Sequence, residues 1–293
     1  MSVLTNILIA LDFKSNEEKA KIDHAIALTQ SSESTTITLF TVVPEVTFDP
    51  EKDIVPEEKK QDILLSKAKK KLEKIADSFF DGTKITCLAA VGTPSVEIVK
   101  QVLRGEHDLL LTSTRKEKTV KENLLGSTMI ELMRKCPCPV WAIKPETVSE
   151  SKIMVGIHFD EEVEDHNDSL NHQLLDIARC LAKDTNEEIH LVNVVKESND
   201  EIVAKRLAEM NKLPDTLASI PSKIIPVVLE GDAVTALPEY TRKESIDILV
   251  MGILSRTGLK GFFIGNTAEK IMDDINCSLL VVKPKEFVSP ITL

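Results

Sequence analysis

Short runs of β-branched and other apolar residues alternate along the chain with longer stretches in which apolar residues recur every three or four positions. The first kind suits strands buried on both faces and the second suits amphipathic helices, together the pattern of a parallel sheet covered on both sides. Strands are predicted over 4–11, 36–43, 84–91, 108–113 and 138–143 in the first half, and over 152–158, 187–195, 223–229, 247–252 and 278–283 in the second. Between 57 and 80, Leu65, Ala68, Leu72, Ile75 and Phe79 fall on one helix face, with Lys67, Lys69, Lys70, Lys71 and Lys74 largely on the other. The lysine face reads as solvated, the alternative being a dock for a phosphate-bearing partner.

The same order of elements occurs twice. Residues 109–145 align without a gap on 248–284, so that Gly126 falls on Gly265, Pro145 on Pro284, Gly92 on Gly231 and Asp108 on Asp247. Upstream, 6–12 falls on 152–158 and 36–43 on 188–195, the halves differing by insertions outside the strands. A fixed-period repeat of this kind is one structural unit written twice. The polar stretch from Glu146 to Ser151 suits the linker, giving domains over 1–146 and 151–293, each an α/β, Rossmann-like unit with a five-stranded parallel sheet and helices on both faces. The last strands, VWAI and LLVV, are expected to pair within the chain, making a pseudo-dimer; a homodimer of whole chains remains open.

Composition narrows the function classes. The 293 residues carry a net charge of −11 and only 4% aromatics, so the field repels nucleic acid and few rings are available for base stacking. No apolar run reaches bilayer length, which argues against membrane insertion, and MSVLTNILIALDF lacks a basic leader and cleavage site; a cytoplasmic location is expected. Five cysteines without framework spacing fit a reducing compartment. Cys136-Pro-Cys138 reads as a turn into the fifth strand, since zinc needs two further converging ligands and His107 or Asp108 are near only in sequence.

Ligands of open α/β sheets sit beyond the carboxyl ends of the strands where strand order reverses, which directs attention to the ends of strands one and four. After the fourth strand of the second half come Gly252, Ser255, Arg256, Thr257, Gly258, Lys260, Gly261, Gly265, Asn266 and Thr267, with a helix opening at the last three. Glycines allow close backbone approach to a phosphate, a helix start presents free N–H groups, Asn266 and Thr267 can cap the helix or bind a ligand oxygen, and Arg256 and Lys260 supply positive charge. Glycines after a strand also serve tight strand-to-helix turns, so the pattern alone leaves both readings open. His158, at the end of the first strand, reads either as a titratable gate for an anion or as an ordinary strand-end histidine.

These residues resemble the universal stress protein family, whose loop after strand four reads Gly-x2-Gly-x9-Gly-[Ser/Thr]. Gly252 and Gly265 match the first and third glycines, Ser255 stands at the second and Asn266 at Ser/Thr. The family places an Asp at the end of strand one near the adenosine and valines ending strand two beside the base. Val194 and Val195 match the valines, whereas His158 replaces the Asp. In the first half Asp12, Val42, Val43, Gly126 and Ser127 match, but Ser113 and Lys116 fill the earlier glycine positions and the intervening loop is charged. The two units together, with SRTGL, FFIGNTAE, CPCPVW and the KPKEFVSP tail, are similar to tandem, E-type members of the family.

The resemblance implies a cytoplasmic stress-response protein, linked in bacteria to survival of DNA damage and starvation, with an adenine nucleotide such as ATP, accompanied by Mg2+, in the second unit. It implies a binding or signalling module rather than an enzyme. The alternatives are a metabolite or lipid-like ligand in the same cleft, an interaction scaffold with both clefts empty, and a slow ATP hydrolase. No Walker loop and no Gly-x-Ser-x-Gly elbow occurs to favour the last.

Overall fold

The computed structural model describes residues 4–13, 22–23, 26, 35–47, 56–79, 85–113, 126–144, 152–159, 164–182, 187–213, 222–253 and 266–293. The first half contributes β1 (Asn6–Ala10), β2 (Thr36–Val43), α1 (Glu57–Phe79), β3 (Ile85–Val91), α2 (Pro94–Gly105), β4 (Leu109–Ser113), α3 (Ser127–Lys135) and β5 (Val140–Ile143). The second contributes β6 (Lys152–Gly156), α4 (Glu164–Leu181), β7 (Glu188–Val195), α5 (Asp200–Met210), β8 (Lys223–Glu230), α6 (Ala233–Lys243), β9 (Ile248–Gly252), α7 (Asn266–Asp274) and β10 (Ser278–Val282). All ten strands expected from the apolar runs are present. The runs overshoot at polar ends: Asp108 and Asp247 stand just before β4 and β9 because their carboxylates accept backbone N–H groups, from Thr5 and Asn6 in one unit and Lys152 in the other. Each aspartate thereby ties the fourth strand to the first.

The strands form one sheet in the order β3-β2-β1-β4-β5-β10-β9-β6-β7-β8. Every pairing is parallel except β5 with β10, where the two units meet antiparallel through Ala142 and Leu279, Trp141 and Leu280, and Val140 and Val281. The expected intramolecular pseudo-dimer is thus formed. Among the described strands β3 and β8 are the edges, and Pro226 sits in β8, where a missing donor is tolerated.

Each face of the sheet carries a core continuous across both units. One gathers Leu72 of α1, Leu170, Leu174 and Ala178 of α4 and Met210 of α5 beneath Ile9, Trp141, Val155 and Leu280. The other gathers Val99 of α2, Leu132 of α3, Leu237 of α6 and Ile271 of α7 beneath Leu8, Val140, Leu249 and Val281. The predicted face of α1 follows this division: Ala68 and Leu72 are buried, Leu65 and Ile75 half-buried, and the five lysines exposed.

Polar contacts lace the seam. Lys144 Nζ donates to the Asn276 carbonyl at 2.9 Å, and its repeat counterpart Lys283 donates to the Cys136 carbonyl at 2.7 Å. Arg134 of α3 pairs with Glu269 of α7. The C-terminal tail then covers the Lys283 side: Ser289 Oγ donates to the Lys135 carbonyl, and the Phe287 ring centroid lies 4.9 Å from Lys283 Nζ. Lys283 is consequently 5% exposed.

Candidate functional site

Strand order reverses between β1 and β4 in the first unit and between β6 and β9 in the second. Chain leaving the carboxyl ends of these neighbours must part to opposite sides of the sheet, and a crevice opens between them. In the second unit Gly156, the last residue of β6, pairs with Met251, one residue before the end of β9 at Gly252. His158 follows β6 by two residues and is exposed, at the mouth of the crevice. Val194 lies next to the end of β7, paired with Leu229 and half-buried on the face shared with α6, and the Val195 carbonyl accepts the Gly231 N–H at 2.8 Å.

Gly252 is held between two demands. Its backbone pairs with Val282, and the space above its Cα belongs to Leu170 of α4: an added Cβ would stand 2.5 Å from Leu170 Cδ2. Close packing of α4 on the strand end therefore explains a glycine here without any ligand. Ser255, Arg256, Thr257, Gly258, Lys260, Gly261 and Gly265 lie outside the described residues. Asn266 and Thr267 open α7, whose Ala268, Ile271 and Met272 are buried against the sheet, and their own side chains lie outside the described part.

Two asparagines that sequence reading passed over fix the shape of the crevice floor. Asn171, 2% exposed on α4, brackets His158, accepting its N–H at 3.3 Å and donating to its carbonyl at 2.9 Å. Asn193, 3% exposed in β7, donates to the Ile157 carbonyl at 2.9 Å, while its Oδ1 is buried with no hydrogen-bond partner among the described residues. Chain leaving a parallel strand carries unpaired amides and carbonyls, and these side chains satisfy them where water is excluded. The available signal was a polar residue inside an apolar run, Asn193 within EIHLVNVV. Phe159 follows, with the Arg206 guanidinium carbon 5.5 Å from its ring centroid; Phe13 and Lys71 form the corresponding pair in the first unit at 4.1 Å.

In the first unit Asp12 follows β1, Val42 and Val43 end β2, and Ser113, paired with Ile143, ends β4 in the place of Gly252. Lys116 lies outside the described residues. Gly126 precedes α3, and its carbonyl accepts from Met129 and Ile130; an added Cβ there would meet none of the described residues within 4 Å.

Cys136 and Cys138 stand with sulfurs 3.5 Å apart, both buried in the turn before β5, and burial pushes the Cys138 thiol up. Neither residue suggested as a further zinc ligand converges on them as a donor set, since Asp108 binds backbone amides and His107 Nε2 lies 3.1 Å from Thr38 Oγ1. Among the described residues no group of three His, Cys, Asp or Glu side chains could hold a metal ion, and no helix is long and apolar enough to cross a membrane.

Comparison with known proteins places this geometry. The universal stress protein family profile matches residues 4–144 and again 152–283. Universal stress protein E of Salmonella typhi is 33% identical over 218 residues, covering 68% of each chain. The universal stress protein E homolog of Haemophilus influenzae is 23% identical over an alignment of 307 positions, covering 96% of this chain and 98% of its own. A universal stress protein structure from Archaeoglobus fulgidus superposes with a TM-score of 0.71 at 19% identity, covering 97% and 99% of the two chains, a likeness of fold. With two matched units in one chain and a sheet that joins them, the chain belongs to the universal stress protein family as a tandem, E-type member.

Proposed function

We propose that this stress-response protein is a ligand-sensing module whose second unit binds an adenine nucleotide in the crevice between β6 and β9. One observation carries the reading: β9 ends at Gly252 beside the end of β6, and the chain then runs through a glycine-bearing segment into the start of α7. In that arrangement Gly258, Gly265 and the first amides of α7 would receive phosphates, with Ser255, Arg256, Thr257, Asn266 and Thr267 supplying polar contacts. Val194 would flank the base and His158 the ribose side.

Mg2+ would travel with the nucleotide's phosphates, because His158 replaces the carboxylate that Asp12 provides in the first unit. The first unit, with Ser113 and Lys116 in place of glycines, serves as a structural partner across the seam. The setting proposed is the cytoplasm and survival of stresses such as DNA damage. Binding rather than turnover is the output, since hydrolysis needs a positioned base and a held metal.

Isothermal titration of the full chain with Mg-ATP tests the reading. One nucleotide per chain, lost in Gly265→Arg and retained in Gly126→Arg, is expected, because the second substitution lies at the equivalent place in the other unit, where no described residue comes within 4 Å of an added Cβ. Absence of binding at millimolar ATP, or equal loss in both variants, contradicts it. Phosphate release that persists in Gly265→Arg marks a contaminating hydrolase.

A further inference from the structure

At the opposite, amino end of the sheet the first unit contains a cavity of about 310 Å³, lined among others by Thr38 of β2, Thr86 and Leu88 of β3, Gln101 of α2 and His107. The repeat shows what normally occupies this place. In the second unit Gln101 is replaced by Tyr240, Thr38 by His190 and His107 by Ile246. The Tyr240 ring lies edge-on to His190, with centroids 5.8 Å apart and Oη 2.8 Å from Nδ1. A phenol and an imidazole thus meet between α6 and β7.

The first unit keeps an imidazole in this layer but lacks the phenol. His107 enters from the turn after α2, 6% exposed, with Nε2 on the Thr38 hydroxyl and Nδ1 buried with no hydrogen-bond partner among the described residues. Gly105 makes room for it, since a Cβ there would stand 2.2 Å from the ring's Cε1. Burial pushes the His107 pKa below its usual value, against the pull of the nearby Val102 and Gln101 carbonyls, and so favours the neutral ring. Among the described residues no Lys, Arg, Asp or Glu lines the cavity. A charged ligand would lose its hydration there without a counter-charge, whereas a neutral ring with one hydroxyl matches both the apolar wall and the amide, hydroxyl and imidazole groups.

We propose that this cavity is a second small-molecule site that takes a neutral, single-ring aromatic hydroxyl compound, the free counterpart of the Tyr240 side chain. The ring lies between α2 and the start of β2 and β3, and its hydroxyl exchanges hydrogen bonds with the Thr38, Gln101 and His107 cluster. The site is separate from the carboxyl-end crevice and independent of nucleotide binding there.

The test is titration of the full chain with p-cresol, followed by the imidazole resonances of His107 and His190. Saturable binding to one site, moving the His107 signals and leaving those of His190 in place, is expected. Gln101→Tyr supplies the missing ring from the protein itself and should weaken p-cresol binding by at least about tenfold while raising the melting temperature. Thr86→Phe, on the exposed edge strand, fills the same cavity from the other side and serves if Gln101→Tyr fails to fold. No saturation at millimolar p-cresol, a response at His190 instead, or full binding in the filled variants overturns the proposal.

Discussion

Trp141 lies directly opposite Leu280 across the antiparallel seam, and Leu280 is the residue that occupies the Trp141 position in the other half of the chain. The pairs on either side, Ala142 with Leu279 and Val140 with Val281, exchange under the same relation. A pseudo-two-fold axis therefore passes between Trp141 and Leu280, both almost fully buried in one core. A single-unit protein would need a second copy to cover these edges; here the duplicated sequence does so covalently.

Because that core runs through both units, truncating it at the seam should weaken both together. Leu280→Ala is expected to cost about 2–5 kcal/mol and to leave one urea transition, with Trp141 fluorescence and far-ultraviolet circular dichroism coinciding. Two separated transitions in the wild-type protein would show that the seam does not couple the units.

Gly252 carries a prediction that separates packing from ligand binding. Gly252→Ala pushes against Leu170 and should lower stability by about 1–2 kcal/mol without nucleotide present. In a Leu170→Ala background the same change should cost nothing. An equal penalty in both backgrounds would mean that Leu170 is not the reason for the glycine.

Lys283 gives a pH signature. Burial pushes its pKa down to about 8 from the usual 10.5, so the folded chain releases this proton before the unfolded chain does. Between those pH values the unfolded state holds more protons, and the Lys283 contribution to stability rises with pH, recovering a penalty present below about 8. Relative to Lys283→Met, the wild type should gain up to about 3 kcal/mol between pH 7 and pH 10.5, read from urea midpoints. The neighbouring Cys136 and Cys138 are common to both proteins. A pH-independent difference, or one that falls, contradicts the buried-ammonium account.

Much of the fold was legible because its signals are local. Runs such as NILIA and SLLVV have few ways to be buried except as central strands, and the Leu65-Ala68-Leu72 spacing fixes one face of α1. Duplication made the VWAI and LLVV pairing legible too. The site was harder to read, because its determinants lie far apart in the chain. Gly252 looks like a phosphate-approach glycine until Leu170 is seen above it, and Asn171 reaches His158 only once α4 docks. The cavity at Gln101 emerges from comparing two packed interiors, where Tyr240 fills in one what the other leaves open.

Asn171 offers a local test of that crevice. Asn171→Ala removes both side-chain hydrogen bonds to the His158 backbone and should cost about 1–3 kcal/mol. Hydrogen exchange at the His158 amide should accelerate well beyond the global change. Unchanged relative protection there would show that Asn171 does not hold the crevice floor.

The central claim, a ligand-binding crevice in the second unit alone, is tested most directly by native mass spectrometry of gently purified full-length chain with Mg-ATP added. The account predicts a mass increase of one nucleotide per chain, present in wild type and Gly126→Arg and absent in Gly265→Arg. Two nucleotides per chain, none at millimolar ATP, or a retained molecule of another mass that ATP does not displace would contradict it.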